Sequence, residues 1–315
     1  MIKKGCLFLF LVVIVMIAIP FLHHKKEVQG DSFVKIPIRF VPLLNTPIMN
    51  VEISRRKYSL NIDLGTSHNV ILDKKVLDKI ELKESLENLL WFDLKGNEYH
   101  SPQFRIPKIQ IGEKSQILEA VASEESIDFI AHGSQVLPDY FFLHKGISAL
   151  YSTFVDGRIG WSVFQRNVCL FDFPSSEFLI AKDMLSLTRN AGYSLEDFAH
   201  TPFEIQDCGV ILSIKTDFGE KKFLLDTGST WSLIHGPSIE REKGQFATNT
   251  FIVGGVDLGK HKFRIDSFSD QFSFDGILGV DFFRSHSICL DFHNHIAYIK
   301  RQESAIEKFL SWIKK

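Results

Sequence analysis

Four landmarks occur twice, in the same order, in this 315-residue chain, and a tandem repeat of that kind fixes the architecture before any local structure is read. The first landmark is a β-rich approach to an acidic turn. Tyr58-Ser-Leu-Asn-Ile-Asp63-Leu64-Gly65-Thr66-Ser-His-Asn-Val-Ile-Leu72 parallels Lys222-Phe-Leu-Leu-Asp226-Thr227-Gly228-Ser229-Thr-Trp-Ser-Leu-Ile234. The second is a strand-turn unit, Ile109–Lys114 and Val256–Lys262. The third is Asp156-Gly157-Arg158-Ile159-Gly160 and Asp275-Gly276-Ile277-Leu278-Gly279. The fourth is Val168–Phe173 and Ile288–Phe292. Asp63 and Asp156 lie 93 residues apart, Asp226 and Asp275 only 49, so the first copy carries added loops or elements. An acidic turn kept in both halves implies a site where the halves meet.

The spacing predicts an all-β chain. Ile36–Val41, Val51–Ile53, Tyr58–Ile62, Phe104–Ile111, Val210–Ile214 and Phe223–Leu225 are short, rich in β-branched or aromatic residues and bounded by turn formers. Asp73–Leu90 shows helical spacing at Val76, Ile80 and Leu86 and reads as partly helical. The units are residues 31–190 and 195–301, two lobes joined near Leu185–His200, with an amphipathic tail helix over 302–315. The 29 Phe suit large sheet cores, and 4 Cys exclude a disulfide scaffold. Cys169 and Cys289 stand at equivalent strand positions and read as apolar residues, each in its own core.

Residues 5–22 are uncharged and apolar, between Lys3-Lys4 and His23-His24-Lys25-Lys26. Eighteen residues are at the short end of spanning length, and no small-residue cleavage site follows. The segment 1–26 is expected to be a signal-anchor holding the body on the extracytoplasmic side. If it is instead a cleaved signal peptide, the protein is secreted. Positive charge on both flanks leaves orientation weakly specified. The whole chain carries a formal charge of −2 and residues 27–315 one of −6, against a nucleic-acid binder with its basic face.

The chemistry is expected at the two acidic turns. One Asp-x-Gly-Ser/Thr is a weak signal; two, each entered by a strand and followed in register by a Gly-apolar-Gly element, are not. With these residues the chain resembles the aspartic protease superfamily over nearly all of 31–301. Asp226-Thr-Gly-Ser-Thr is similar to the family's acidic turn, and Phe274–Phe283 to its hydrophobic-hydrophobic-Gly segment. Asp63-Leu-Gly-Thr-Ser and Gly157-Arg-Ile-Gly160 are looser matches. The order of landmarks resembles the pepsin-like, two-lobed members, and the second-half motifs the retroviral type.

The resemblance implies two pseudo-symmetric β-barrel lobes with a cleft between them. It implies catalytic Asp63 and Asp226 sharing one proton and activating a water for peptide hydrolysis. Gly65 and Gly228 would let the chain turn tightly, Thr66 and Ser229 would bond the outer carboxylate oxygens, and Thr227 would reach across to the opposite turn. A flap is expected at Leu90–Tyr99, with Lys95-Gly96-Asn97 as its turn and Trp91 or Tyr99 as its aromatic. The partner implied is a peptide or protein substrate, met by a monomer without cofactor. Leu64, where the family usually has Thr, leaves open a second reading, an impaired member that binds peptides or a partner protein. His286, His293 and His295 cluster in sequence, but without an acidic or Cys partner they read as solvated histidines, not as a metal site.

Overall fold

The computed structural model describes residues 32–81, 83–112, 116–125, 149–239 and 244–302. The candidate anchor at 5–22 and nearly all of the tail at 302–315 lie outside the described residues. Among the described residues no helix is long and apolar enough to cross a membrane. The strands all belong to one compact unit that begins at Phe33.

Six antiparallel strands form a shared floor. Their order is Phe33–Pro37, Glu177–Ala181, Val168–Asp172, His286–Asp291, Ile296–Arg301 and Ala199–Gln206. Three come from each copy of the repeat, in mirrored order. The central pair is the fourth landmark meeting itself, with Cys169 opposite Leu290 and Leu170 opposite Cys289. Side chains of successive strand residues point to opposite faces, so the two cysteines fall on opposite faces. Cys169 joins the main core with Phe171 and Leu290, and Cys289 joins a smaller cluster with Val168 and Leu179. Both are free thiols.

Above this floor each copy makes the same three-strand insertion. Gly157–Gly160 lies between Arg56–Asp63, to which it is parallel, and Val70–Asp73, to which it is antiparallel. Gly276–Leu278 lies likewise between Gly219–Leu225 and Leu233–His235. This is why the first and third landmarks travel together: the third is wedged between the two arms of the first. A Cβ on Gly160 would sit 2.0 Å from the His68 carbonyl oxygen, and one on Gly279 2.6 Å from that of Trp231. The Asp that opens each wedge ties it to the strand. Asp156 Oδ2 accepts from the Ser59 N–H and Asp275 Oδ2 from the Lys222 N–H, both at 2.8 Å. Ser59 and Lys222 each stand four residues before the acidic turn.

Neither half is the regular closed barrel expected. The first-half sheet curls back on itself only through Val51–Ile53 against Ile109–Ile111. The second-half sheet ends at Gly244–Thr248, which pairs with His261–Asp266 alone. Asp73–Leu90, read as partly helical, is helical over Lys74–Leu77, capped by the Asp73 carboxylate on the Lys75 N–H. Val76, Leu77 and Ile80 bury their side chains. Beyond them Glu84–Ser85 pairs with Phe104–Arg105 and Leu89–Phe92 with Glu98–Ser101, so sheet pairing overrides the weak helical spacing.

Phenylalanines fill the core across the repeat boundary. Phe171 stacks on Phe178 at 4.7 Å and meets Phe283 edge-on at 6.0 Å. One histidine departs from the expectation. His286 is buried and stacks on Phe282 at 4.1 Å, while His293 and His295 are exposed in the turn between the last two strands. No group of three or more His, Cys, Asp or Glu placed to hold a metal occurs among the described residues.

Candidate active site

The wedges bring the two acidic turns together. Asp63 ends its strand and is 2% exposed; Asp226 follows Leu225 directly. Each carboxylate accepts the N–H of the glycine two residues on, Gly65 to Asp63 Oδ1 at 3.0 Å and Gly228 to Asp226 Oδ1 at 2.8 Å. Asp226 Oδ1 also accepts the Ser229 N–H at 3.2 Å. Each carboxylate lies against the other turn's glycine. A Cβ on Gly65 would stand 2.5 Å from Asp226 Oδ1, and one on Gly228 2.7 Å from both oxygens of Asp63. Neither glycine has a positive φ. Both lie in turns, as expected, and what excludes a side chain there is the close approach of the opposite carboxyl group.

Thr227 is fully buried. Its hydroxyl donates to the Ile62 carbonyl at 2.6 Å and accepts from the Leu64 N–H at 3.0 Å, joining the second turn to the first. Leu64 gives nothing back; its side chain is fully buried in the main core. The hydroxyls of Thr66 and Ser229 do not reach the carboxylates as expected. Thr66 Oγ1 accepts from the His68 N–H at 3.4 Å, and Ser229 Oγ donates to the Trp231 carbonyl at 2.8 Å. The second oxygen of Asp63 is taken by another group.

That group is Arg158, whose Nη1 donates to Asp63 Oδ2 at 3.0 Å. The side chains of the pair are 12% and 3% exposed. Arg158 stands in the wedge strand, level with Asn61, where the second half has Ile277. Two further groups adjoin the pair, the buried Tyr151 and the half-buried His68. Burial raises the Tyr151 hydroxyl above its ordinary value, and His68 is lowered to about 4, first by burial and then by the Arg158 charge. Asp226 is raised to about 7, first by desolvation and then by the charge of Asp63. Two carboxyl groups this close oppose each other's ionisation.

A hairpin roofs the pair. Leu89–Phe92 pairs with Glu98–Ser101, with Trp91 opposite Tyr99. Asp93 accepts the N–H groups of Lys95 and Asn97 in the turn, and Gly96 sits at φ 83. Trp91 stacks on Tyr99 at 4.6 Å and donates to Ser101. Trp91 lines the cavity under the hairpin, about 460 Å³, with Asp63, Asp226 and His68; Tyr99 does not. The tip reaches the second half. Lys95 Nζ donates to Asp266 at 2.7 Å and to the Ser267 carbonyl at 2.6 Å, and the Ser269 N–H donates to the Leu94 carbonyl at 2.9 Å. Leu94 packs against the apolar cluster of Ile211, Leu224 and Phe268.

Sequence reasoning missed Arg158, Tyr151, His68 and the Lys95–Asp266 latch. Arg158 left one signal, a charged residue at the place in the third landmark where the other copy has Ile.

No protein-family model matches the sequence, and comparison with curated proteins gives no match. Solved structures do match. The basic 7S globulin of soybean aligns with a TM-score of 0.57 at 8% identity, over 86% of this chain and 95% of its own. Conglutin gamma, a basic 7S globulin of lupine seeds, aligns at 0.56 and 10%, over 90% and 97%. The aspartic proteinase of Irpex lacteus aligns at 0.51 and 13%, over 86% and 98%. The chain therefore has an aspartic-protease-like fold. Two of these structures are named globulins and one a proteinase, so the fold alone leaves the activity open.

Proposed function

We propose that the protein is an aspartic endopeptidase. The observation that carries this reading is the pair of carboxylates, each held by its own Gly N–H and each against the glycine of the opposite turn. With one proton between them, the ionised member takes a proton from a water while the protonated member gives its proton to the substrate carbonyl oxygen. The water oxygen bonds to the carbonyl carbon, giving a gem-diol. The member that took the water's proton then gives it to the nitrogen while the other takes a proton from a gem-diol hydroxyl; the C–N bond breaks, acid and amine leave, and the dyad again holds one proton, with no covalent enzyme intermediate. The apolar roof of Leu89, Leu90 and Phe92 favours a substrate with apolar side chains near the cut and excludes water from it.

A second reading has its own support: a fold-mate that binds peptides without cutting. Leu64 removes one cross-turn hydrogen bond, and the globulin likeness is compatible with it. The missing bond is worth about 0.5–1.5 kcal/mol, small beside the barrier reduction of about 8 kcal/mol or more that enzymes supply, and this favours the enzyme. Digestion of a random peptide library across pH decides between them. Cleavage blocked by a hydroxyl-bearing mimic of the gem-diol supports the peptidase, and peptide binding without cleavage supports the binder. We further propose that residues 5–22 place the body on the extracytoplasmic face, as an anchor or as a cleaved signal; carbonate extraction of membranes separates the two.

A further inference from the structure

The cavity holds a charge that the duplicated motif does not require. In the second half the wedge residue level with the strand before the dyad is Ile277, opposite Leu224. In the first half it is Arg158, and its guanidinium is on Asp63. The two turns also differ at Leu64 and Thr227, but the difference at Arg158 sets a charge against one carboxylate. Backbone pairing on both sides holds Arg158 rigidly, parallel to Arg56–Asp63 and antiparallel to Val70–Asp73. Arginine stays charged in a protein interior.

We propose that Arg158 is a positioning residue that makes the two carboxyl groups unequal: paired with Asp63, it keeps the negative charge of the dyad on that side and leaves the shared proton on Asp226. Asp63 is then the base that takes the proton of the attacking water, and Asp226 the acid that polarises the carbonyl. The assignment rests on the peptidase reading. Arg158 binds Oδ2 and Gly65 binds Oδ1, so the guanidinium replaces the hydroxyl clamp that Thr66 does not make.

The other groups facing the dyad do not compete for this role. His68, on the same turn, stays neutral through burial and the Arg158 charge. Tyr151, on the helical turn at 149–154, stays a neutral phenol. On the Asp226 side Cys208 is raised to about 11 by burial and remains a thiol, and Asp207 beside it is a further acid lining the cavity. Arg158 is thus the cation placed to set the proton's position. Its charge also lowers Asp226 against the raising effects of burial and Asp63.

The test compares full-length wild type with Arg158→Met and Arg158→Lys on one cleavable peptide, and follows the Asp226 carboxyl by ¹³C NMR titration, its signal identified with Asp226→Asn. For Arg158→Met the expected result is kcat about 100-fold lower with KM little changed, and the alkaline limb of the pH profile and the Asp226 titration both about one pH unit higher. Arg158→Lys, which keeps the charge, restores the wild-type pH limb and part of kcat. An Arg158→Met protein with wild-type kcat and pH profile overturns the proposal. So does one that cleaves better than wild type, since Arg158 would then be a lock on the dyad. If no variant cleaves any peptide, the peptidase reading fails separately. The ¹³C titration then still decides: an Asp226 carboxyl that keeps its proton until the upper step of the pair in wild type supports the assignment, and one that ionises in the lower step overturns it.

Discussion

Thr227 carries two hydrogen bonds across the cleft floor, to Ile62 and from Leu64, while the Ser229 hydroxyl carries none to the dyad. The two residues should therefore respond differently to loss of the hydroxyl. Thr227→Val leaves the buried Leu64 N–H unpaired, while the Ile62 carbonyl keeps the Asn61 Nδ2 donor, and should lower unfolding free energy by about 1–3 kcal/mol together with kcat. Ser229→Ala loses only the side-chain bond to Trp231 and should cost about 1 kcal/mol with kcat within a few-fold of wild type. Urea unfolding and turnover of the two variants check this; equal loss of turnover in both would show that the Ser229 hydroxyl acts on the carboxylate after all. The sequence made Asp63, Asp226 and Thr227 legible because their turns recur at matched places in the repeat. It could not place the hydroxyls of Thr66 and Ser229. The outer oxygen of Asp63 goes instead to Arg158, which arrives from a strand 95 residues away.

At the scale of elements, the hairpin over the dyad is held shut from the second half. Lys95 and Asp266 are 55% and 19% exposed, so their ion pair adds little to global stability, about 0–1 kcal/mol. It bears on local opening instead. Lys95→Met should leave the urea midpoint unchanged while hydrogen exchange speeds up across residues 89–101. Leu94→Ala, which also withdraws a side chain from the apolar cluster, should speed it further. Unchanged exchange in both would mean that the hairpin is held by its own strand pairing. The hairpin was legible from aromatic residues around Lys95-Gly96-Asn97, since a glycine at positive φ closes such a turn. The latch was not, because its partners are 171 residues apart. The extent of the helix within Asp73–Leu90 was not legible for the same reason: Leu89–Phe92 takes its conformation from a strand that local periodicity cannot see.

For the whole molecule, one buried histidine, His286, and two partly buried ones, His68 and His261, set the response to acid. His68 and His286 are lowered to about 4 and His261 to about 3, each mainly by burial. The folded state therefore resists protons that the unfolded chain takes up near pH 6.5. The stability these groups permit is full above about pH 6.5 and is lost as pH falls towards 4. Asp226 works in the opposite sense. Raised to about 7, it stabilises below its unfolded value of 3.8, and that contribution is lost as pH rises towards 7. A tenfold change in proton affinity is worth about 1.4 kcal/mol, and three such groups outweigh one. The melting temperature should fall between pH 6.5 and 4, and the fall should be shallower in His261→Phe, which keeps an aromatic ring among Phe251, Phe263 and Phe282. A melting temperature that rises over this interval would contradict the burial described. A fold that weakens in acid also fits a dyad whose Asp226 keeps its proton close to neutrality.

The central claim is that Asp63 and Asp226 together hydrolyse peptides. Its most direct test is the turnover of wild type, Asp63→Asn and Asp226→Asn on one peptide taken from the library, from pH 3 to 8 (roughly the span of carboxyl and imidazole titration). Cleavage by wild type and none by either variant is the expected result, with the circular dichroism of all three alike. Near-wild-type turnover in either variant, or a wild type no faster than both variants at every pH, would contradict the claim.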